Sequence, residues 1–242
     1  MKRMIPPLIF LSAFWWCSSL IIDKPFFPTP DLVLFSMLHQ FREGALAAHL
    51  ITSLFRVFAA LFFSFFPALI LGIAAGRNRM VDSLVSPVVY LLYPVPKVAL
   101  LPIILLFLGL GNLSKIFFVS LVVFFQFFLN LRDETAGINR QYFVSLRSLG
   151  GRKADELRHI IIPALLPRIF SSLRMTLGTA IAILFLAETF ATRMGIGWYI
   201  MDAWSRIAYT EMYAGILALS LAGFVLFLIL DVSESFFCRW KS

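Results

Sequence analysis

The chain has 242 residues, of which 60% are hydrophobic and only 14% charged, and its mean hydropathy is +0.90; a soluble globular domain carries about a quarter charged residues and is excluded. The surplus of 21 Lys and Arg over 13 Asp and Glu, a net charge of +8, belongs in such a chain to the anionic cytoplasmic leaflet and not to nucleic acid. The two cysteines, Cys17 and Cys238, stand in no CxxC or CxxxH pattern and offer neither a disulfide framework nor a metal site.

Six membrane spans can be drawn along the chain, which makes the predicted fold an all-α, polytopic membrane protein. The first runs from about Pro6 to Ile22. Its basic start resembles a signal peptide, but "LSAFWWC" supplies bulky tryptophans where a cleavage site needs small residues, so a retained helix is expected. The next segment, "DKPFFPTPDLVLFSMLHQFREGALAAH", carries three prolines and an interrupted apolar pattern; it reads as a loop plus a helix lying in the interface. The second span, about Leu50 to Ala75, ends in the tight basic turn "GRNRMVD". The third, about Leu84 to Leu106, contains Pro87, Pro94, Pro96 and Pro102. Each proline removes an amide donor and crowds the preceding turn, so this span is broken, either as a kinked packing helix or as one that lines or gates a path. After "GLGNL" comes the fourth span, about Ser114 to Asn130; the fifth covers about Ser171 to Phe190 and the sixth about Tyr213 to Asp231.

An even number of spans puts both termini on one side. That side collects Lys2, Arg3, Arg77, Arg79, the seven Lys and Arg between Arg132 and Arg168, Arg239 and Lys241, thirteen of the 21 basic residues. The positive-inside bias places it in the cytoplasm.

The segment "RSLGGRKADELRHIIIPALLP", residues 147–167, interrupts the apolar blocks on that side. From Phe143 onward, apolar residues recur at Leu146, Leu149, Ala154, Leu157, Ile160 and Ile161, a spacing that makes one stripe on an amphipathic helix. Gly150 and Gly151 divide it into two short helices with a bend. Asp155 and Glu156 precede Arg158 and His159 by three to four residues, which suits an exposed helical face. Pro163 and Pro167 are expected to stop the helix before the fifth span. Such a segment either rests on lipid headgroups or docks a soluble partner.

"SLRSLGGRKADELRHIIIPALLP" resembles the EAA-loop signature of bacterial ABC-importer permeases, with Gly150, Ile161 and Pro163 at the matching positions. "LLYPVPKVALLPIILLFLGLGNLSKI", residues 91–116, and "MGIGWYIMDAW", residues 194–204, are similar to the proline-rich third helix and the loop after the fifth helix of the nitrate/sulfonate/taurine-type family. The matches run from about His49 to Val232. Where that family often has Glu-Ala-Ala, this chain has Val144, Ser145 and Leu146, which leaves the docking contacts open.

The resemblance implies a type I importer permease fold. Residues 1–48 would hold the first helix and the extracytoplasmic segment. Residues 49–235 would form the permease core with a cytoplasmic coupling loop at 132–168, and residues 236–242 a cytoplasmic tail. It implies a transport subunit, not an enzyme, in the bacterial inner membrane. Its implied partners are ABC ATPase subunits, a second permease copy (a homodimer), an extracytoplasmic solute-binding protein and membrane lipid. The implied solute is a small anion or organic solute of the nitrate, sulfonate or taurine class. No cofactor is expected in this chain: "GIAAGRNR" lacks the Lys-Ser/Thr ending of a phosphate-binding loop, so ATP and Mg fall to the ATPase. Coupling is assigned to Leu146, Leu149, Gly150, Gly151, Asp155, Leu157 and Pro163. The alternative, a stand-alone secondary transporter or channel, would show paired discontinuous helices in two halves, and none stand out.

Three further polar positions matter. Glu188, in "FLAETFATRMG", would cost roughly 2.5–3.5 kcal/mol deep in lipid; it is expected in a structural hydrogen bond, a translocation path or gate together with Pro94 and Pro96, or at the interface. Gln126 and Asn130 are expected to bridge helices near the cytoplasmic end of the fourth span. Arg56 is expected to snorkel to the outer headgroups, and Trp198, Tyr199 and Trp204 to form an outer interfacial belt. His39, His49 and His159 are spread over different segments and suggest no metal or catalytic cluster.

Overall fold

Thirty-three consecutive residues, Ala45–Arg77, form one unbroken helix, α3, about 50 Å long at 1.5 Å per residue. The computed structural model describes residues 5–190 and 192–239, and every regular element among them is helical. Ahead of α3 come α1 (Ile5–Ile22) and α2 (Pro30–Arg42); after it come α4 (Arg79–Leu92), a 3-10 turn at Lys97–Leu100, α5 (Leu101–Leu108) and α6 (Asn112–Ala136). The charged segment contains α7 (Arg140–Ser148) and α8 (Lys153–Glu156), then a π-helical turn at Leu157–Ile161. The chain finishes with α9 (Ile162–Glu188), α10 (Ile196–Ser205) and α11 (Tyr209–Phe237). The expected basic positions Lys2, Arg3 and Lys241, and the last three residues of the expected tail, lie outside the described residues.

Four helical stretches are long and apolar enough to cross a bilayer: α3, α6, Lys153–Glu188 and α11. A fifth exists if α4 and the stretch Lys97–Leu108 are one broken span, bent by 83°. The first predicted span falls on α1, whose 18 residues, Ile5–Ile22, are about 27 Å long, close to a hydrocarbon core of ~30 Å. The bend falls at Pro94 and Pro96, between α4 and the 3-10 turn, where two missing donors leave the helix nothing to continue with. Pro163 and Pro167, by contrast, do not stop the fifth span. The Ile162 N–H donates to the Leu157 carbonyl, five residues back, and this wider turn gives the Pro163 ring room, so helix runs through both prolines.

The chain forms two compact units. One comprises the residues up to Phe55 and Phe185–Ala222. Its core packs Val33 and Met37 of α2 against Ile196, Tyr199 and Ile200 of α10 and Ala214 and Ala218 of α11. The Trp15 indole N–H donates to the Pro28 carbonyl at 3.2 Å and the Ser19 hydroxyl to the Phe27 carbonyl at 3.1 Å, which ties α1 to the proline-rich loop. Tyr199 is buried there, and burial pushes its phenol up to about 12. Of the expected aromatic belt, only Trp204 is well exposed.

The other unit comprises Arg56–Leu184 and the stretch from Gly223. Here α3 and α6 cross closely because Gly72 and Gly76 present no side chain to Leu131 and Thr135 of α6. Small residues four apart let membrane helices approach backbone to backbone. A Cβ on Gly76 would lie 2.6 Å from the Thr135 Cβ and 2.7 Å from the Arg132 carbonyl oxygen. Phe118, Phe127, Phe128 and Leu131 are buried on α6, whereas Phe62 and Phe63 of α3 and Val225 and Ile229 of α11 are exposed, as a hydrocarbon surrounding requires. Arg56, expected to snorkel, is buried, and its guanidinium donates to the Asn112 side chain at 2.7 and 2.9 Å.

Gly76→Val is therefore expected to destabilise the folded protein by ~1–3 kcal/mol through overpacking, read as a lowered midpoint of thermal unfolding in detergent. An unchanged midpoint would show that the α3–α6 crossing has slack.

Candidate functional site

The segment between α6 and α9 folds as two short helices with a sharp reversal between them. α7 begins at Asn139, whose side chain caps it by accepting from the Gln141 N–H at 2.9 Å. It ends where the Leu149 and Gly151 N–H groups both donate to the Leu146 carbonyl, at 3.2 and 3.0 Å. Gly150 sits at φ +83, the left-handed conformation that closes a helix at little cost only for glycine. Gly151 is needed for a different reason: a Cβ there would meet the Leu146 side chain at 2.6 Å and its carbonyl at 2.8 Å. The chain restarts at α8, where the Arg152 N–H donates to the Asp155 carboxylate at 2.8 Å.

The predicted apolar stripe divides into two sets. Phe143 and Ile161 turn inward and, with Leu165, build a small core that includes Ile73 of α3 and Ile138. Leu149 is 85% exposed and Leu157 41%, and Leu146 is half-buried. Leu149 and Leu157 thus project from a loop whose back face is fixed.

That fixation depends on a residue the sequence placed on the exposed face. Glu156 is buried; its carboxylate accepts from the Arg147 Nε at 2.6 Å and from the Arg77 Nη2 at 3.3 Å. Arg77, the last residue of α3, also stacks its guanidinium 3.6 Å from the centre of the Phe143 ring. One carboxylate therefore joins α7, α8 and the end of α3. The continuous helix Lys153–Glu188 is about 54 Å long, far beyond a ~30 Å hydrocarbon core, and its charged start, with Glu156, projects outside. There the Arg147 guanidinium holds the Glu156 carboxyl below the usual carboxylate range, aided by Arg77. A second clamp fixes the root of the loop: Arg132, near the end of α6, donates to Asp82 at 2.7 and 2.9 Å, and Ser86 donates to the same carboxylate at 2.5 Å. The only sequence signal for Glu156 was its burial-incompatible charge at a position close to the stripe's edge; its partner Arg77 is 79 residues away.

Among the remaining predicted positions, Asp155 acts as the start of α8, and Pro163 lies in the first turn of α9. Pro94 and Pro96 mark the 83° bend. Glu188 lies in the other unit and is fully buried, not interfacial. Its carboxylate accepts from the Ser53 hydroxyl at 2.8 Å and from the Gly197 N–H at 2.9 Å, while the Ile196 N–H donates to Ser53 at 2.8 Å and the Gly195 N–H to His49 Nδ1 at 3.1 Å. Side chains of α3 and α9 thereby satisfy the first N–H groups of α10, and "MGIGWYIMDAW", expected as a loop, is mostly helix. No group of three or more His, Cys, Asp or Glu suited to a metal occurs among the described residues.

Glu156→Gln is expected to loosen this loop without unfolding the spans, raising amide exchange at residues 146–157 roughly tenfold over wild type. The pH dependence has a definite sign. A carboxyl held low in the fold contributes its stability above the ordinary carboxylate range and loses it as pH falls through the lowered value. Wild-type exchange should therefore approach that of the variant only in acid, and equal exchange at neutral pH would remove Glu156 from its role.

Residues 68–240 match the family of binding-protein-dependent transport system inner membrane components. The chain is 29% identical to the taurine transport system permease protein of Escherichia coli K12, over 96% of this chain and 86% of that one. It is 26% identical to a putative aliphatic sulfonates transport permease protein of Bacillus subtilis 168, over 100% and 88%. Against the formylaminopyrimidine transport permease protein of Halalkalibacterium halodurans it is 25% identical, over 98% and 95%. Among solved structures, an inward-facing MetNI methionine ABC transporter shares the fold, with a TM-score of 0.65 at 18% identity over 79% of this chain and 94% of that one. With the helical path, the bent third span and the clamped loop between α6 and α9, these likenesses converge: the chain belongs to the family of binding-protein-dependent transport system inner membrane components, as a membrane-spanning permease subunit whose ATP hydrolysis is carried out by a separate subunit.

Proposed function

We propose that two copies of this chain form the membrane unit of an importer, with ATPase subunits seated on the loop from α7 to the π-helical turn and an extracytoplasmic protein delivering the solute. The observation that carries this reading is the exposed pair Leu149 and Leu157 on a loop held from behind by Glu156. An apolar tip with a charged rim on a rigid base is what a protein interface needs. Leu146, Leu149 and Leu157 supply its contact, Gly150 and Gly151 its bend, Asp155 the start of its second helix, and Pro163 the exit into α9. Glu156 passes a displacement of the tip to α3. The energy comes from the partner: ATP binding biases a two-state membrane unit through this contact, and ATP and Mg stay on the ATPase.

The basic bias favours cytoplasmic termini and a cytoplasmic coupling loop at 132–168. Within the core at 49–235, Pro94 and Pro96 supply a hinge. Glu188, holding α3, α9 and α10 together, supplies a gate element; residues 1–48 supply the first helix and interfacial segment, and residues 236–242 a cytoplasmic tail. The taurine and sulfonate relatives support a small sulfonate-like anion as the solute.

In vesicles, single cysteines placed by Gly151→Cys and Thr29→Cys, in a background lacking Cys17 and Cys238, should label from opposite sides; labelling from one side would overturn the topology. Leu149→Asp buries an unpaired charge in the contact, and the lost affinity, ~2–4 kcal/mol, should cost most of the co-purifying ATPase. Gly150→Val strains the bend and should do the same while the chain still inserts. Wild-type ATPase recovery and uptake in both variants would reduce the segment to a surface loop.

A further inference from the structure

Two small cavities lie side by side along the middle of α6 and α9, and they share Asn130 and Met175 in their walls. The larger, about 220 Å³, is lined by Gln126, Thr176 and Thr179 with Tyr93 at the end of α4; the smaller, about 150 Å³, by Ser171, Ser172 and the Glu134–Arg168 pair, whose atoms approach to 3.3 Å. Gln126 lies two residues from the midpoint of α6, and Met175 is the central residue of α9, so the larger cavity lies within the two spans, and the Glu134–Arg168 pair marks the charged end of the strip. From Arg168 to Thr179 it extends about 16 Å along α9. It is also open: Asn130 is exposed, and Met175 is 72% exposed. An amide presented to hydrocarbon costs several kcal/mol, and polar groups at this depth face protein or a water-filled cavity.

The chemistry of the wall is specific. No lining side chain of the larger cavity is charged. The Thr176 and Thr179 hydroxyls donate to the Ser172 and Met175 carbonyls at 2.7 and 3.3 Å, which turns their oxygens into acceptors. Asn130 donates one N–H to Ser172 at 3.1 Å and keeps its second N–H and its carbonyl oxygen for the cavity. We infer that Gln126, Asn130, Thr176 and Thr179, with Tyr93, form the wall of the water-filled solute path, and that this wall takes a small polar solute by hydrogen bonding without a fixed counter-charge. A wall of this kind accepts sulfonate and zwitterionic head groups without trapping either sign. The inference rests on the importer reading above.

The test uses the complex with its ATPase and binding protein in proteoliposomes, in a background lacking Cys17 and Cys238. Gln126→Cys and Thr179→Cys are treated with a membrane-impermeant methanethiosulfonate bearing a sulfonate group; Phe63→Cys, on an exposed apolar face of α3, is the lipid-facing control. Reaction at 126 and 179 but not at 63, with uptake falling at least tenfold after modification, is the expected result. The uncharged Thr179→Val should raise the KM for uptake severalfold, and an unchanged KM overturns the contact. No reaction at either position, or full modification with unchanged uptake, overturns the path. So does disulfide cross-linking of two copies through Gln126→Cys without reagent access, which would make the strip a dry contact between copies. Failure of the importer reading has a separate signature: the unmodified complex would show no ATP hydrolysis stimulated by binding protein, whatever the reagent reaches.

Discussion

One buried carboxylate organises the charged loop between α6 and α9. Glu156 accepts from Arg147 on one short helix and from Arg77 at the end of a 33-residue span, so neither helix can shift without breaking a charge-assisted bond. A carboxylate left buried and unpaired costs far more than an exposed pair gains. The geometry is therefore close to all-or-none. Arg132 and Asp82 do the same at the root of α6. Both clamps sit where helices leave the hydrocarbon, because only there can a carboxylate and guanidinium keep part of their water.

Inside the bilayer a different rule holds, since lipid is as apolar as leucine and burial of leucine gives no driving force. The close contact of α3 with α6 is made by absence of side chains, at Gly72 and Gly76. Polar groups finish the job with hydrogen bonds, as Asn130 does with Ser172 and Arg56 with Asn112. Among the described residues, the third span gives up its helical backbone at an 83° bend. Pro94 and Pro96 open the ladder there, and Lys97 donates to the Tyr93 carbonyl at 2.7 Å, returning a partner to a group that the break had orphaned.

Much of this was legible in the sequence, for reasons that can be named. The spans were visible because twenty apolar residues have few other uses, and the bend at Gly150 because a glycine pair inside an amphipathic pattern marks a reversal. The π-helical turn that carries the helix past Pro163 was not legible, since a proline reads the same whether the helix stops or widens. The burial of Glu156 and Arg56 escaped for a common reason: each is held by a partner more than 50 residues away, Arg77 and Asn112, and hydropathy treats charge as exposed. Asn130 was read correctly as a bridge.

The lack of fixed charge in the larger of the two cavities along α6 and α9 connects the local chemistry to the design of a binding-protein-dependent importer. A cation in the path would bind an anionic solute tightly, and the transporter would then have to spend ATP on release as well as on opening. Hydrogen-bonding groups hold a polar solute only about as well as water does, so the path offers passage with little discrimination. Its relatives carry names as different as taurine, aliphatic sulfonates and formylaminopyrimidine, and a weakly binding wall can serve such different cargo with few changes. Selection then belongs to the protein that delivers the solute, and coupling, in the function proposed above, to the Glu156-clamped loop. The membrane helices between them are left one task, which is to switch access without holding on.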